Sequence, residues 1–197
     1  MTQPSPSNCA AFDGHRRIGS GPLREVVLIV KHAVEKGAAG PVLIFGDADG
    51  RVIDVDTRGT DADVVARLSP DLQDESTSAP PRGRGRPKLG VVAREVTLLP
   101  RHWDWLAIQP GGASAAVRRL VEEARRVHAD RDSARRAGDG AYRVMSALAG
   151  DLPGFEEASR ALFANDPVRF ADQVAAWPDD VRGYVSGLAF GETGAGR

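Results

Sequence analysis

Between residues 68 and 87 the chain reads LSPDLQDESTSAPPRGRGRP, twenty residues with no apolar periodicity and with prolines at four positions. A run of this kind has no face to bury, and its prolines hold it away from helix and sheet alike. Whatever folds on either side must therefore find its own core, and a boundary is expected near residues 70–90. The sequence-based expectation is a mixed α+β chain. It has a first module over 1–70, a flexible basic arm over 71–90, a central element over 91–136, a helical module over 137–190 and an unstructured tail over 191–197.

Charge divides the chain in nearly the same places. Residues 1–81 carry 8 basic and 12 acidic side chains, residues 82–136 carry 13 and 6, and residues 137–197 carry 5 and 9. The net charge of −1 thus conceals a basic middle between two acidic flanks. Contact with a polyanion, where there is any, is expected to be local to that middle. The skew of 23 Arg against 3 Lys reads as codon usage rather than chemistry.

Other classes are excluded more simply. No run approaches the roughly 18 apolar residues that a membrane span requires. MTQPSPSNCAAF lacks the basic start and apolar core of a signal peptide. The single cysteine, Cys9, leaves no internal disulfide and no cysteine-based zinc finger. A cytoplasmic protein of bacterial type, without cofactor or membrane contact, is the expectation.

Local patterns fill in the elements. CAAFDG reads as a strand, HRRIGSG as a turn and PLREVVLIVKHAVEKG as a helix between Pro22 and Gly37. PVLIFGDADGRVIDVD reads as a β-hairpin, and TDADVVARL as a short helix capped by Thr60. The first module is thus expected to run β-α-β-β-α. In the middle, VVAREVTLL is a strand, and Pro100 opens the helix PRHWDWLAIQ. PGG breaks the chain before the longer helix ASAAVRRLVEEARRVHADRDSARR. AYRVMSALAGDL, PGFEEASRALFAND, PVRFADQVAAW and PDDVRGYVSGLAF read as four further short helices.

Two resemblances follow from the basic middle. RGRPK, residues 84–88, resembles the core of the AT-hook, in which glycine and proline keep an extended arm close to a narrow groove. The resemblance implies minor-groove contact by Arg84 and Arg86. The layout of a strand, proline, a short helix, a glycine turn with serine and a longer helix resembles the ribbon-helix-helix DNA-binding family over residues about 92–128. That resemblance implies a homodimer in which two strands pair as a ribbon in the major groove, over a shared core that includes Trp103, Leu106, Leu120 and Val121. It also implies that free N–H groups at Gly112 to Ser114 hold a DNA phosphate. Which strand face reads bases is open. Burial of the Val92, Val96, Leu98 face presents Glu95 and Thr97, whereas burial of Leu99 presents Arg94. The grip is expected from Arg82, Arg84, Arg86 and Lys88. End to end, the chain also resembles an uncharacterised bacterial family, a domain of unknown function, which implies no activity.

Chemistry finds no constellation. GDADGRVIDVD, residues 46–56, has alternating aspartates, but its glycine comes too early for an EF-hand loop and no glutamate closes it. His15, His32, His102 and His128 fall in four separate elements, with no metal-ligand spacing. Cys9 has no nearby histidine, and the GSG at 19–21 lacks a phosphate-loop motif. Phe155, Phe163, Phe170 and Trp177 read as core. An enzyme would need scattered groups such as Asp13, His15 and Arg16 to converge. The expectation is a non-enzyme: a dimeric DNA-binding protein used in transcriptional regulation, whose acidic modules are open to a protein partner. The alternative is a protein-interaction module of antitoxin or adaptor type with no specific DNA readout.

Overall fold

The structure, a computed structural model, describes residues 8–68, 92 and 94–191. The arm residues Arg82, Arg84, Arg86 and Lys88 lie outside the described residues, as does the tail over 192–197. The chain divides into two compact units, one made of Met1–Glu75 and Asp132–Arg197, the other of Ser76–Arg131. Segments that the sequence separates into a first and a last module therefore share one unit, and the central element is inserted between them.

The first unit is organised by β1 (Asn8–Asp13). Its NCAAFD sequence has no polar alternation, and five of its six residues are buried. A strand buried on both faces needs a layer on each. It lies at the centre of a three-stranded antiparallel sheet, between β2 (Arg16–Pro22) and β3 (Val42–Gly46). Cys9 and Ala11 join Ile44 in one cluster with Val26, Val27 and Val30 of α1 (Leu23–Glu35) and Val64 of α2 (Asp61–Arg67). Ala10 and Phe12 join Phe45 in a second cluster, with Val144 and Met145, Phe170, Trp177 and Val185. These come from α5 (Ala129–Leu148), α7 (Pro167–Gln173), the turn after it and α8 (Asp179–Phe190), with α6 (Phe155–Phe163) packed among them. The numbers α3 and α4 fall to the second unit, where α3 is Pro100–Ala107 and α4 is Gly112–Val127.

The observed order of the first module is β-β-α-β-α, which corrects the expected β-α-β-β-α in two places. HRRIGSG is not a turn: Arg16–Pro22 is an edge strand paired with β1, with a bulge that leaves Ile18 unmatched between Ala11↔Gly19 and Phe12↔Arg17. The expected hairpin closes only in part. Phe45↔Val52 is an isolated bridge, and Ile53 N–H donates to the Ile44 carbonyl at 2.8 Å, after which no strand continues. Thr60 caps α2 as expected, in a reciprocal box with Asp63.

The reason for the unfinished hairpin is its turn, which is docked onto α5. The Tyr184 hydroxyl donates to Asp47 Oδ1 at 2.8 Å, and Arg143 Nη1 donates to the Asp49 carbonyl at 2.7 Å. At Gly50, with φ +65°, an added Cβ would lie 2.1 Å from the Gly140 carbonyl oxygen. This approach explains why α5 carries Gly140 mid-helix, where the sequence alone suggests a break, whereas Gly138 has nothing within 4 Å of an added Cβ. The helix runs through them to Leu148, while its expected continuity with α4 ends at His128. Phe170 and Trp177 are buried as expected, Phe155 is partly so, and Phe163 is 59 % exposed against Tyr142.

Gly50→Ala is expected to cost about 3 kcal/mol, the sum of a left-handed backbone and a clash with a main chain that cannot retreat. Gly14 also has positive φ but nothing within 4 Å of an added Cβ, so Gly14→Ala is expected to cost only about 1 kcal/mol. Urea denaturation of the two variants beside the parent measures the difference.

Candidate functional site

The second unit is short of core. Among its described residues only Leu106 and Ala116 appear among the buried hydrophobics, while Val96, Trp103, Trp105, Ile108, Leu120 and Val121 are all 43 % exposed or more. A helix pair this small cannot hold itself together on two buried side chains. Its construction nonetheless follows local rules. Pro100 occupies the first turn of α3, where its missing N–H costs nothing. Gly111 and Gly112 both have positive φ, 82° and 74°, and turn the chain into α4. No side chain caps the start of α4, so Ser114 stands beside N–H groups that it does not itself satisfy.

Of these exposed apolar side chains, all but Ile108 border a groove of about 950 Å³. From α3 it takes Trp103, Trp105 and Leu106, and from α4 Val117, Leu120 and Val121. The segment before α3 contributes Val92, Arg94, Val96 and Leu98, whereas Glu95 and Thr97 do not line it. Contribution by every second residue is the signature of extended backbone. Residues 94–99 nevertheless carry no strand assignment, because no second strand within the described residues pairs with them. Of the two faces left open by the sequence, the structure turns the Val/Leu face toward the helices and leaves Glu95 and Thr97, both exposed, on the other.

The residues expected in a DNA site are thus distributed as follows. Glu95 and Thr97 share the free face, and Arg94 contributes to the groove. Gly112 and Ser114 lie at the start of α4, with Ser114 on the groove side. His102 and Arg118 also border the groove, and among the described residues no carboxylate does. The sequence reading missed Trp105 and Arg118. The spacing of Ser114, Arg118 and Val121, one and two turns apart, was the available signal for Arg118. Electrostatically the unit is distinct: residues 76–131 contain 11 basic and 5 acidic side chains, against 15 and 22 in the rest of the chain.

In the first unit Asp13, Lys31 and His32 are each engaged by neighbouring groups. Asp13 accepts from the N–H groups of Ala39 and Gly40, at 3.2 and 2.7 Å, and faces Arg16, which fixes the loop before β3. Lys31, with a side chain only 8 % exposed, is held by Glu35 at 2.7 Å and Asp61 at 3.0 Å, and these partners push its ammonium upward. His32 pairs with Asp61 at 3.2 Å. Among the described residues no three His, Cys, Asp or Glu side chains are grouped to hold a metal ion. No helix among them is long and apolar enough to cross a membrane.

Cys9 is fully buried in β1, and its thiol donates to the Gly21 carbonyl. Burial, with the Asp47 carboxylate nearby, pushes the thiol up to about 11. Because the raised value keeps the thiol protonated at neutral pH, alkylation of the folded protein at pH 8 is expected to be negligible and to become complete on denaturation. Mass spectrometry after iodoacetamide treatment, with and without urea, reads this directly.

The profile of a family described as "Uncharacterized protein conserved in bacteria (DUF2239)" matches residues 8–189, across both units. No curated protein and no solved structure matches the chain.

Proposed function

We propose that this chain, which belongs to the bacterial family DUF2239, is a homodimeric DNA-binding protein built on residues 92–127. One observation carries the reading: alternate residues of 92–98 line an apolar groove that the single chain leaves open. A second copy, paired antiparallel along the same residues, would satisfy the backbone groups of 94–99 and cover Trp103, Leu120 and Val121 together. A two-fold interface meets itself, so one open face supplies both halves of the contact.

The outward face of such a ribbon holds Glu95 and Thr97, at a width that the major groove admits. The uncapped start of α4 at Gly112–Ser114 supplies N–H groups suited to a phosphate. Arg82, Arg84, Arg86 and Lys88 precede the ribbon in sequence and supply cations for the backbone or a narrow minor groove. Regulation of transcription is the natural use of such a dimer. A second reading, a dimeric protein-interaction module without base readout, is favoured by one feature: the free face presents a carboxylate and no cation.

Light scattering is expected to find a dimer that Val96→Pro and Val121→Asp each abolish. The first removes an N–H in mid-strand, and the second places a charge in the covered groove. Helix content by circular dichroism separates loss of pairing from loss of fold. A Val121→Asp protein that remains dimeric overturns the pairing. In titrations of a random duplex, affinity is expected to fall steeply with salt, and the Arg84→Ala/Arg86→Ala protein to lose about 2 from the log–log slope, at roughly 0.9 per phosphate contact. No binding at low salt by the parent protein leaves the interaction module as the function.

A further inference from the structure

We propose that the apolar groove of the inserted unit is a binding site for a single-chain carboxylate amphiphile of fatty-acid type, and that a bound chain excludes the second copy. The exclusion rests on the pairing proposed above, whereas the binding does not. Charge is segregated around the groove. The five carboxylates of residues 76–131 are Glu95, Asp104, Glu122, Glu123 and Asp130, and none of them lines it. Arg94 and Arg118 do line it, and neither makes a hydrogen bond or ion pair among the described residues. By contrast Arg125, on the same helix as Arg118, is held by Glu122 at 3.2 Å.

A two-fold contact meets itself, so the lining of a second copy brings further guanidinium groups and no carboxylate. Apolar walls with unpaired cations match one chemistry: a long apolar body with a single negative head. The walls come from three sides, Val96 and Leu98 before α3, Trp103 and Leu106 on α3, and Leu120 and Val121 on α4. They form a trough that a single chain fills and a flat bilayer surface does not. Its volume of about 950 Å³ lies within the roughly 300–1,000 Å³ of small-molecule sites. From Ala113 to Val121 the α4 wall runs roughly 12 Å, the length of a medium acyl chain. Arg94 and Arg118 are the donors for the head, through charge-assisted hydrogen bonds that guanidinium makes in parallel pairs. The chain covers Trp103, Leu120 and Val121, which pairing would also cover, so each occupant shuts out the other.

Trp103 and Trp105 border the groove, while the third tryptophan, Trp177, is buried with its Nε1–H donating to the Pro153 carbonyl. Intrinsic fluorescence therefore reports on the groove. The test titrates the full-length protein with monomeric dodecanoate, its shorter homologues and dodecyltrimethylammonium, with light scattering on the same samples. Dodecanoate is expected to give a saturable change in emission, with affinity falling about 4-fold for each CH2 removed. The cationic amphiphile of equal chain length is expected to bind about 10-fold more weakly, for want of the charge-assisted bonds. Arg94→Gln/Arg118→Gln is expected to lose about 10-fold for dodecanoate and nothing for the cation, with helix content by circular dichroism unchanged. Saturating dodecanoate is expected to convert the dimer to monomer. No saturable binding, equal binding of both amphiphiles, unchanged affinity in the variant, or binding to phosphatidylglycerol vesicles alone overturns the site. A dimer that persists with dodecanoate bound overturns the exclusion. A parent that is monomeric without ligand and still binds dodecanoate marks failure of the pairing and supports the site.

Discussion

A strand with two apolar faces cannot be covered from one side, and β1 is such a strand. Cys9 and Ala11 face one layer while Ala10 and Phe12 face the other. The elements near it in sequence, α1 and α2, cover only the first face. The second is covered by helices that begin more than a hundred residues later. This demand brings Val144, Met145, Phe170 and Val185 onto Phe12 and Phe45, and it fixes the topology of the chain. The segment between becomes an insertion because both of its flanks are committed to one core.

The docked turn at 46–50 shows how tightly that core is drawn. Main chain meets main chain at Gly50 and Gly140, with no side chain between. Such contact is possible only where both partners lack Cβ, and it is fastened by Tyr184 on Asp47 and Arg143 on Asp49. The same burial that completes the core silences the groups within it. Burial and the hydrogen bond to Asp47 push the Tyr184 phenol upward, and burial does the same to Cys9.

Much of this organisation was legible in the sequence, and the rest was not for identifiable reasons. Capping and punctuation placed α1, α2, α3 and the last three helices, since Thr60, Pro100, Asp166 and Pro178 act locally. HRRIGSG reads as a turn because two glycines and a lone isoleucine give no strand signal. Its pairing comes from β1, through a turn of which Gly14 is part. The glycines of α5 argue for a break, and only the approaching turn reveals why Gly140 belongs there. The fold-back of the last helices left one trace, the missing alternation in CAAF. For residues 92–98 the sequence could not choose between faces, because Leu98 and Leu99 compete for the same side. In the structure Val92, Val96 and Leu98 line the groove, and Glu95 and Thr97 do not.

The charge partition acquires its meaning from the same division. The inserted unit carries a net +6 and the scaffold a net −7, from 11 basic and 5 acidic against 15 and 22 side chains. At physiological salt, fields between exposed charges fade within about 8 Å, so charge acts locally rather than through the chain's total. A net charge of −1 for the whole chain is therefore no argument against polyanion binding. It does limit steering from a distance, which depends on the summed field. Attraction must then come from contact. On the proposed DNA-binding reading, affinity would rest chiefly on the short cationic stretch before residue 92.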